Sequence, residues 1–258
     1  MNPEIPSFAA GEIDAHLHTR HSCDSDMASM DACRRALELG LRAIVFTEHM
    51  DFDPSDEGFG FYDAMAIRDS LEECRRRFPS LRIFKGVEVT YQTKYRRQIE
   101  RFLRKGNFEY ALGSVHMVGD GDISRAERQG EYFGSRSEEE AYRPYFEEVR
   151  LAAGSGLFDA IGHLDLCKKY GLRHYGPMEW RKYSEEIGGI LRAAASSGTI
   201  IELNTSGTRQ DPKDTYPSIE VIELFRRMGG RTILGSDAHR PEDIGHAFGK
   251  FKGAIASV

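Results

Sequence analysis

The feature of this 258-residue sequence that most restricts its fold is a repeated coincidence: short apolar runs end on side chains that bind metals. Residues 12–17 lead into Asp14-Ala15-His16-Leu17-His18, residues 42–47 (RAIVFT) into Glu48-His49, and residues 81–90 (LRIFKGVEVT) carry Glu88. Residues 110–115 are followed by His116, residues 158–162 by His163-Leu164-Asp165, and residues 231–235 by Asp237-Ala238-His239. A further run, residues 199–203 (TIIEL), ends at Asn204, the one such end without a metal-type side chain.

Nearly continuous apolar runs of this length suit strands buried on both faces of a parallel sheet. Amphipathic stretches separate them. Cys33, Ala36 and Leu37 share one helical face with Gly40 as its stop, residues 93–105 form a basic helical stretch, and Val221, Ile222, Phe225 and Met228 share a face between Pro217 and Gly229. Strands alternating with helices argue for parallel β-α units, and seven units in a chain of this length favour a barrel over an open sheet. With no repeat, linker or low-complexity tract, a single domain over residues 1–258 is expected.

In a parallel barrel the C-terminal strand ends share one rim, where active sites are built. That rim then collects His16, His18, His49, His116, His163 and His239 with several carboxylates. Residues i and i+2 of an extended strand point the same way, so His16 with His18, and Asp237 with His239, each converge on one cation. Imidazole with carboxylate suits zinc, iron or manganese, and Glu88 has two oxygens with which to bridge ions. The set exceeds what one zinc needs, so two to three divalent transition metals are expected. His21, His174 and His246 stand away from strand ends and are expected to be structural or surface residues.

Composition narrows the partners. Lys and Arg total 35 against 41 Asp and Glu, a formal net charge of −6, and no long basic stripe offsets it, which disfavours nucleic acid. Four cysteines without a C-x-x-C pair read as reduced thiols, Cys23 among them as a packing residue. Residues 1–11 lack a signal-peptide pattern and no apolar run reaches a membrane span, so a cytoplasmic protein free of membrane is expected.

Taken in order, Asp14-x-His16-x-His18, Asp24, Glu48-His49, Gly86-Val87-Glu88, Gly113-Ser114-Val115-His116, Gly162-His163-x-Asp165-Leu166, Glu202-x-Asn204-Thr205-Ser206-Gly207 and Gly235-Ser236-Asp237-x-His239 resemble the PHP (polymerase and histidinol phosphatase) family. The monofunctional histidinol-phosphatase type is the nearest branch, and the likeness spans residues 14 to about 246. The resemblance implies a distorted, TIM-like (β/α)7 barrel with a trinuclear centre on its C-terminal rim. Carried over residue by residue, the ligands are His16, His18, Asp24, His49, Glu88, His116, His163, Asp237 and His239. Asp24 rests on the resemblance alone.

The activity so implied is hydrolysis of a small phosphorylated substrate, L-histidinol phosphate, to L-histidinol and phosphate in histidine biosynthesis. Metal-activated hydroxide attacks phosphorus, and no side-chain nucleophile is needed. Glu88, Asp237 and His239 are the expected catalytic residues, with Asp165 or His239 as acid. Asp165 is otherwise a residue that orients a histidine or caps a helix. Arg20, Lys168, Lys169, Arg209 and Arg240 follow strand ends and are candidate phosphate donors, Lys168 first and Arg209 second. Asn204 is expected to touch substrate. Residues 118–136, polar and aperiodic, read as a binding loop that presents Arg125 or Tyr132. An alternative substrate for the same chemistry is a nucleotide or oligonucleotide.

Overall fold

Each of the seven apolar runs forms a strand in the computed structural model, which describes Ile5 and residues 8–255. In chain order the elements are β1 (Ile13–Leu17), α1 (Ser29–Glu38), β2 (Ala43–Phe46), β3 (His49–Met50), α2 (Ala64–Arg77), β4 (Arg82–Thr90), α3 (Arg96–Gly106), β5 (Tyr110–Ser114), β6 (Met117–Val118), β7 (Gly121–Asp122), α4 (Gln129–Phe133), α5 (Glu138–Ala153), β8 (Ala160–Ile161), α6 (Lys168–Tyr175), α7 (Ser184–Ser197), β9 (Ile200–Asn204), α8 (Ile219–Arg227), β10 (Thr232–Gly235) and α9 (Phe248–Ile255). The single-domain expectation over residues 1–258 includes residues 1–4, 6–7 and 256–258, which lie outside the described ones, as does part of the 1–11 segment.

Strands β1-β2-β4-β5-β8-β9-β10 pair in that order, all parallel. The sheet returns to its start beyond β10, where Asp237 N donates to His16 O and His18 N to Ala238 O, both at 2.9 Å. The fold is therefore a nearly closed TIM-like (β/α)7 barrel, and the residues that complete the seam are those of the two richest ligand motifs.

Helices begin and end on the expected chemistry. Asp63 accepts from Met65 N and Ala66 N at the start of α2, and Ser137 with Glu140 forms a capping box on α5. Gly40, after α1, has φ of +73°, a conformation that costs a side chain and suits glycine. Val221, Ile222 and Phe225 of α8 are buried, but Met228 lies past the helix end and is exposed. A further expectation gives way. The 118–136 stretch is not aperiodic, because it holds the β6–β7 hairpin and α4. Strand β3, His49–Met50, is only partly buried and carries no apolar run, so it left no sequence pattern. No described helix is long and apolar enough to cross a membrane.

The barrel interior has two storeys. The lower one is apolar: Ile13, Ala15, Ala43, Val45, Phe84, Tyr110, Leu112, Ala160, Ile200 and Ile233 form a buried cluster. The alternate residues Ile44, Phe46, Ile83, Val87, Ile161, Ile201, Leu203 and Leu234 belong to the core between strands and helices. Period-two alternation thus separates inside from outside, and the inner columns continue upward into Glu88, Glu202 and His116.

Strand β1 departs from this rule. Asp14 pairs with Ile44 and Leu17 with Phe46, so three residue steps on β1 match two on β2. The extra residue is a β-bulge, and it lets Ala15 join the lower cluster while His16 and His18 also face inward. Asp14 turns to the other face. Its Oδ1 accepts from Ser236 N and its Oδ2 from Gly245 N, both at 2.9 Å. Burial pushes Asp14 up to about 6, and these backbone donors work against that rise.

Candidate metal centre

The upper storey gathers nine side chains from the ends of β1, β3, β4, β5, β8 and β10 and from the β1–α1 loop. Glu88 is the hub. Its Oε2 lies 3.2 Å from His16 Nε2, 3.2 Å from His18 Nε2 and 3.2 Å from His49 Nδ1. Its Oε1 lies 2.9 Å from His163 Nε2 and 3.6 Å from His116 Nε2. One carboxylate thus faces two sets of imidazoles with separate oxygens, the arrangement a bridging ligand requires. Asp237 Oδ1 is 3.7 Å from His16 Nε2 and 3.6 Å from His18 Nε2. Asp24 Oδ2 is 3.2 Å from His239 Nε2 and 3.5 Å from His49 Nε2.

Ligand atoms cluster within 4.8 Å of one another in overlapping groups: His18 with His49 and His239, His16 with His18 and Glu88, His16 with His163 and Asp237, and Glu88 with His116 and His163. All nine residues expected as ligands therefore meet in one place. Two of them sit there in strained backbone, His163 at φ +25° and Asp237 at φ +52°, a region that side chains other than glycine enter at a cost. Alternation from Ala160 would put His163 outside the barrel. The turn at its φ brings it in.

Several histidines have one ring nitrogen committed away from the centre. His16 Nδ1 donates to Glu202 Oε1 at 2.7 Å, and His116 Nδ1 lies 2.8 Å from Thr90 Oγ1. Ser22 Oγ donates to Glu48 Oε2 at 2.7 Å and so accepts from His18 Nδ1 at 3.1 Å and His49 N at 3.1 Å. His239 Nδ1 donates to Asp237 O at 3.1 Å. With their protons placed outward, the Nε2 lone pairs of His16 and His18 face each other at 3.0 Å. Two such lone pairs come this close only with positive charge against them, and, against the opposing effect of burial, the carboxylates of Glu202, Glu88 and Asp237 push His16 up and favour that charge. In metal sites the cation supplies it, and fixing the outer nitrogen is how proteins orient metal-binding imidazoles. Burial, with His49 and His239 nearby, pushes His18 down to about 3, and burial does the same to His116. Both therefore stay neutral, the form that binds metal. The donor set fits divalent transition metals.

Glu202 is the main residue whose role the sequence did not reveal. Buried on β9, it also accepts from His163 N at 2.8 Å, so a single carboxylate orients ligands from β1 and β8. Its room comes from glycine: a Cβ on Gly235 would lie 1.9 Å from Glu202 Oε1, and one on Gly162 would lie 3.3 Å from Oε2. Glycines at inward positions of two strands flanking Glu202 were the available signal. Ser22 and Thr90 carried none, since hydroxyl residues are common in loops.

The candidate phosphate contacts redistribute. The cleft over the centre is lined by Asp24, His49, Glu88, His116, His163, Asp237 and His239 together with Cys23, Asp51, Asp56, Ser124, Arg125, Leu166 and Lys169. Lys168 faces away. Its Nζ is buried and donates to Asp165 Oδ2 at 2.9 Å, Asp214 Oδ2 at 3.0 Å and Thr215 O at 2.7 Å, so no proton remains for a phosphate. Asp165 is tied into this same cluster, away from the cleft, which removes it as a candidate acid. Arg209 donates to the carbonyls of Ser236 at 2.8 Å and Asp237 at 2.7 Å, and it braces the strained Asp237 backbone. Asn204 Nδ2 donates to Glu202 Oε2 at 3.1 Å and to Asp237 Oδ2 at 3.4 Å, outside the cleft lining, and Arg20 is exposed outside it as well. Lys169 and Arg125 are the cations that reach the cleft, and burial pushes Lys169 down. Tyr132 is buried, with its hydroxyl on Ala141 O. His174 stacks on Phe133 and His246 bonds Thr208, as expected of structural histidines.

The family model of the PHP domain matches residues 14–206. A probable histidinol-phosphatase of Deinococcus radiodurans is 31% identical, with 92% of this chain and 90% of that protein covered. A histidinol-phosphatase of Lactococcus lactis subsp. lactis is 28% identical, with 88% and 84% covered. A crystal structure of histidinol phosphate phosphatase from Lactococcus lactis, complexed with zinc, L-histidinol and phosphate, matches at TM-score 0.85 and 26% identity, covering 94% of this chain and 92% of that one.

Proposed function

The chain belongs to the PHP domain family, and on that premise we propose that it is a metal-dependent phosphomonoesterase that converts L-histidinol phosphate to L-histidinol and phosphate. The observation that carries the chemistry is the pair of inward-facing Nε2 atoms of His16 and His18, 3.0 Å apart and both opposite one oxygen of Glu88. The substrate is suggested by the relatives, since the Lactococcus lactis protein of the same fold binds L-histidinol and phosphate. Residues for three ions are at hand: His16, His18, Glu88 and Asp237 for one, His116, His163 and Glu88 for a second, and His49, His239 and Asp24 for a third.

Divalent ions held there supply Lewis acidity, water of lowered pKa and positive charge against the phosphate dianion. The chain's own residues do the rest. Glu202, Ser22 and Thr90 fix the outward protons of His16, His18 and His116, so that the inward nitrogens present lone pairs. Arg209 holds the Ser236–Asp237 carbonyls and keeps the Asp237 carboxylate aimed inward. Lys169 Nζ, in the cleft and in no ion pair among the described residues, is the donor for a phosphate oxygen that the ions leave uncovered. The hairpin loop and the 51–60 loop meet over the cleft, where Arg125 pairs with Glu57 and Arg128 Nη1 donates to Ser55 O at 3.0 Å. They wall off solvent from the reacting phosphorus.

The test is phosphate release from L-histidinol phosphate against nucleoside monophosphates, with protein loaded in turn with zinc, manganese and iron. A higher kcat/KM for L-histidinol phosphate is the expected result. A higher value for a nucleotide sinks the assignment.

A further inference from the structure

Above the ligands the cleft is lined by two acidic residues that the metal centre does not use. Strand β3 pairs with β4 as His49 with Glu88 and Met50 with Val89, so the next residue, Asp51, falls on the inward column of His49, one rung nearer solvent. Asp51 is only 4% exposed, yet its Oδ1 meets no hydrogen-bond donor. Its place is closely shaped: a Cβ on Gly58 would lie 2.0 Å from Asp51 Oδ2 and 3.5 Å from Cys23 Sγ. Asp56 lines the same cleft, with Oδ1 on Gly58 N at 3.0 Å. The nearby cation Arg125 is already engaged by Glu57 and by Asp122, whose Oδ2 is 3.7 Å from Arg125 Nε. A buried carboxylate oxygen without a donor is costly, and a cleft that builds one beside a second carboxylate has a cation to receive.

We propose that Asp51, with Asp56, is the subsite that selects phosphomonoesters bearing an ammonium group next to the ester carbon. This rests on the hydrolytic reading above and adds to it the part of the substrate that is read. In such a molecule the nitrogen is separated from phosphorus by two carbons and one oxygen. That span suits one strand rung, about 6.6 Å between residues i and i+2. The phosphate then meets the ions and Lys169, while the ammonium donates to Asp51 Oδ1. Leu166, at the cleft wall, meets the carbon chain.

The experiment compares L-histidinol phosphate with its analogue lacking the amine, and 2-aminoethyl phosphate with ethyl phosphate, on metal-loaded wild type, Asp51→Asn and Asp56→Asn. Metal content per chain is measured alongside, and L-histidinol binding is followed by calorimetry. A charge-assisted hydrogen bond supports a preference of the wild type for the amine-bearing partner of ~10–100-fold in kcat/KM. Asp51→Asn is expected to erase most of that preference and weaken L-histidinol binding, with metal content held. A preference that survives in both variants overturns the subsite, as does a loss of metal in Asp51→Asn that accounts for the change. Good turnover of L-histidinol phosphate without any amine preference in the wild type overturns the subsite and leaves the hydrolytic reading standing. Poor turnover of L-histidinol phosphate with a clear preference for 2-aminoethyl over ethyl phosphate overturns the L-histidinol phosphate assignment and leaves the subsite standing.

Discussion

The lower and upper storeys of the barrel are built on the same seven strands and obey different rules. Below, Phe84, Leu112, Ile200 and Ile233 alternate inward without a break and fill the interior with hydrocarbon. Above, the chain bulges at β1, turns through positive φ at His163 and Asp237, and buries Glu48, Glu88 and Glu202. Regular geometry suffices where the task is to exclude water. Convergence of eight donors from six strand ends and a ninth from the β1–α1 loop does not follow from regular geometry, so each irregularity lies where a side chain has to be re-aimed. The lower storey supplies the rigidity that holds those irregular positions in place.

Substitutions that affect one storey only are the way to break this division. The largest effect is expected from Glu88→Gln, which removes the charge both ligand sets share: kcat/KM falls on the order of 10³-fold or more, with loss of bound metal and a retained fold. Elemental analysis with circular dichroism checks it, and an active, metal-replete variant would refute the hub role. Lys168→Ala leaves Asp165 buried without its cation and is expected to cost ~3–5 kcal/mol of stability while KM stays near wild type. Urea unfolding and kinetics together decide this, and a raised KM on an unchanged fold would return Lys168 to the substrate. Leu112→Ala, in the lower storey, is expected to cost ~2–5 kcal/mol with turnover per metal-loaded molecule unchanged. A proportional loss of turnover would show that the two storeys are coupled. Glu202→Gln is expected to weaken metal affinity ~10–100-fold, read by chelator competition, because it frees the outward proton of His16. Arg34→Ala breaks an exposed pair with Asp31 on α1 and is expected to change stability by less than ~1 kcal/mol and activity not at all.

The division also explains what was legible. Strands showed in the sequence because a strand buried on both faces of a parallel sheet is a nearly continuous apolar run, and the ligands showed because imidazole and carboxylate at strand ends are uncommon. Direction around a helix start was not legible. Lys168 and Lys169 are neighbours, and the first turn of α6 sends one into a buried cluster with Asp165 and the other to the cleft. Arg209 looks like an anion donor, yet its hydrogen bonds go to two backbone carbonyls that only the folded β10 end brings near. Asn204 stands at a strand end like the ligands, but its amide is spent on Glu202 Oε2 and Asp237 Oδ2, at 3.1 and 3.4 Å, so it braces these carboxylates and does not line the cleft. Strand β3 has two residues like β8, but His49 and Met50 are only partly buried and no apolar run surrounds them.

The bulge in β1 has a consequence for anyone who would transplant this centre. The string Asp14-Ala15-His16-Leu17-His18 looks like three chelating residues on one side of a strand, and copied onto an unbulged strand it would behave that way. Asp14 would then swing inward as an extra anion among the ions, and the join between the first and last strands would lose the carboxylate that accepts from Ser236 N and Gly245 N. The portable unit is therefore the motif together with its three-against-two spacing on the neighbouring strand. A graft that carries the letters and leaves out that offset would yield a barrel with a misassembled cage and an open side.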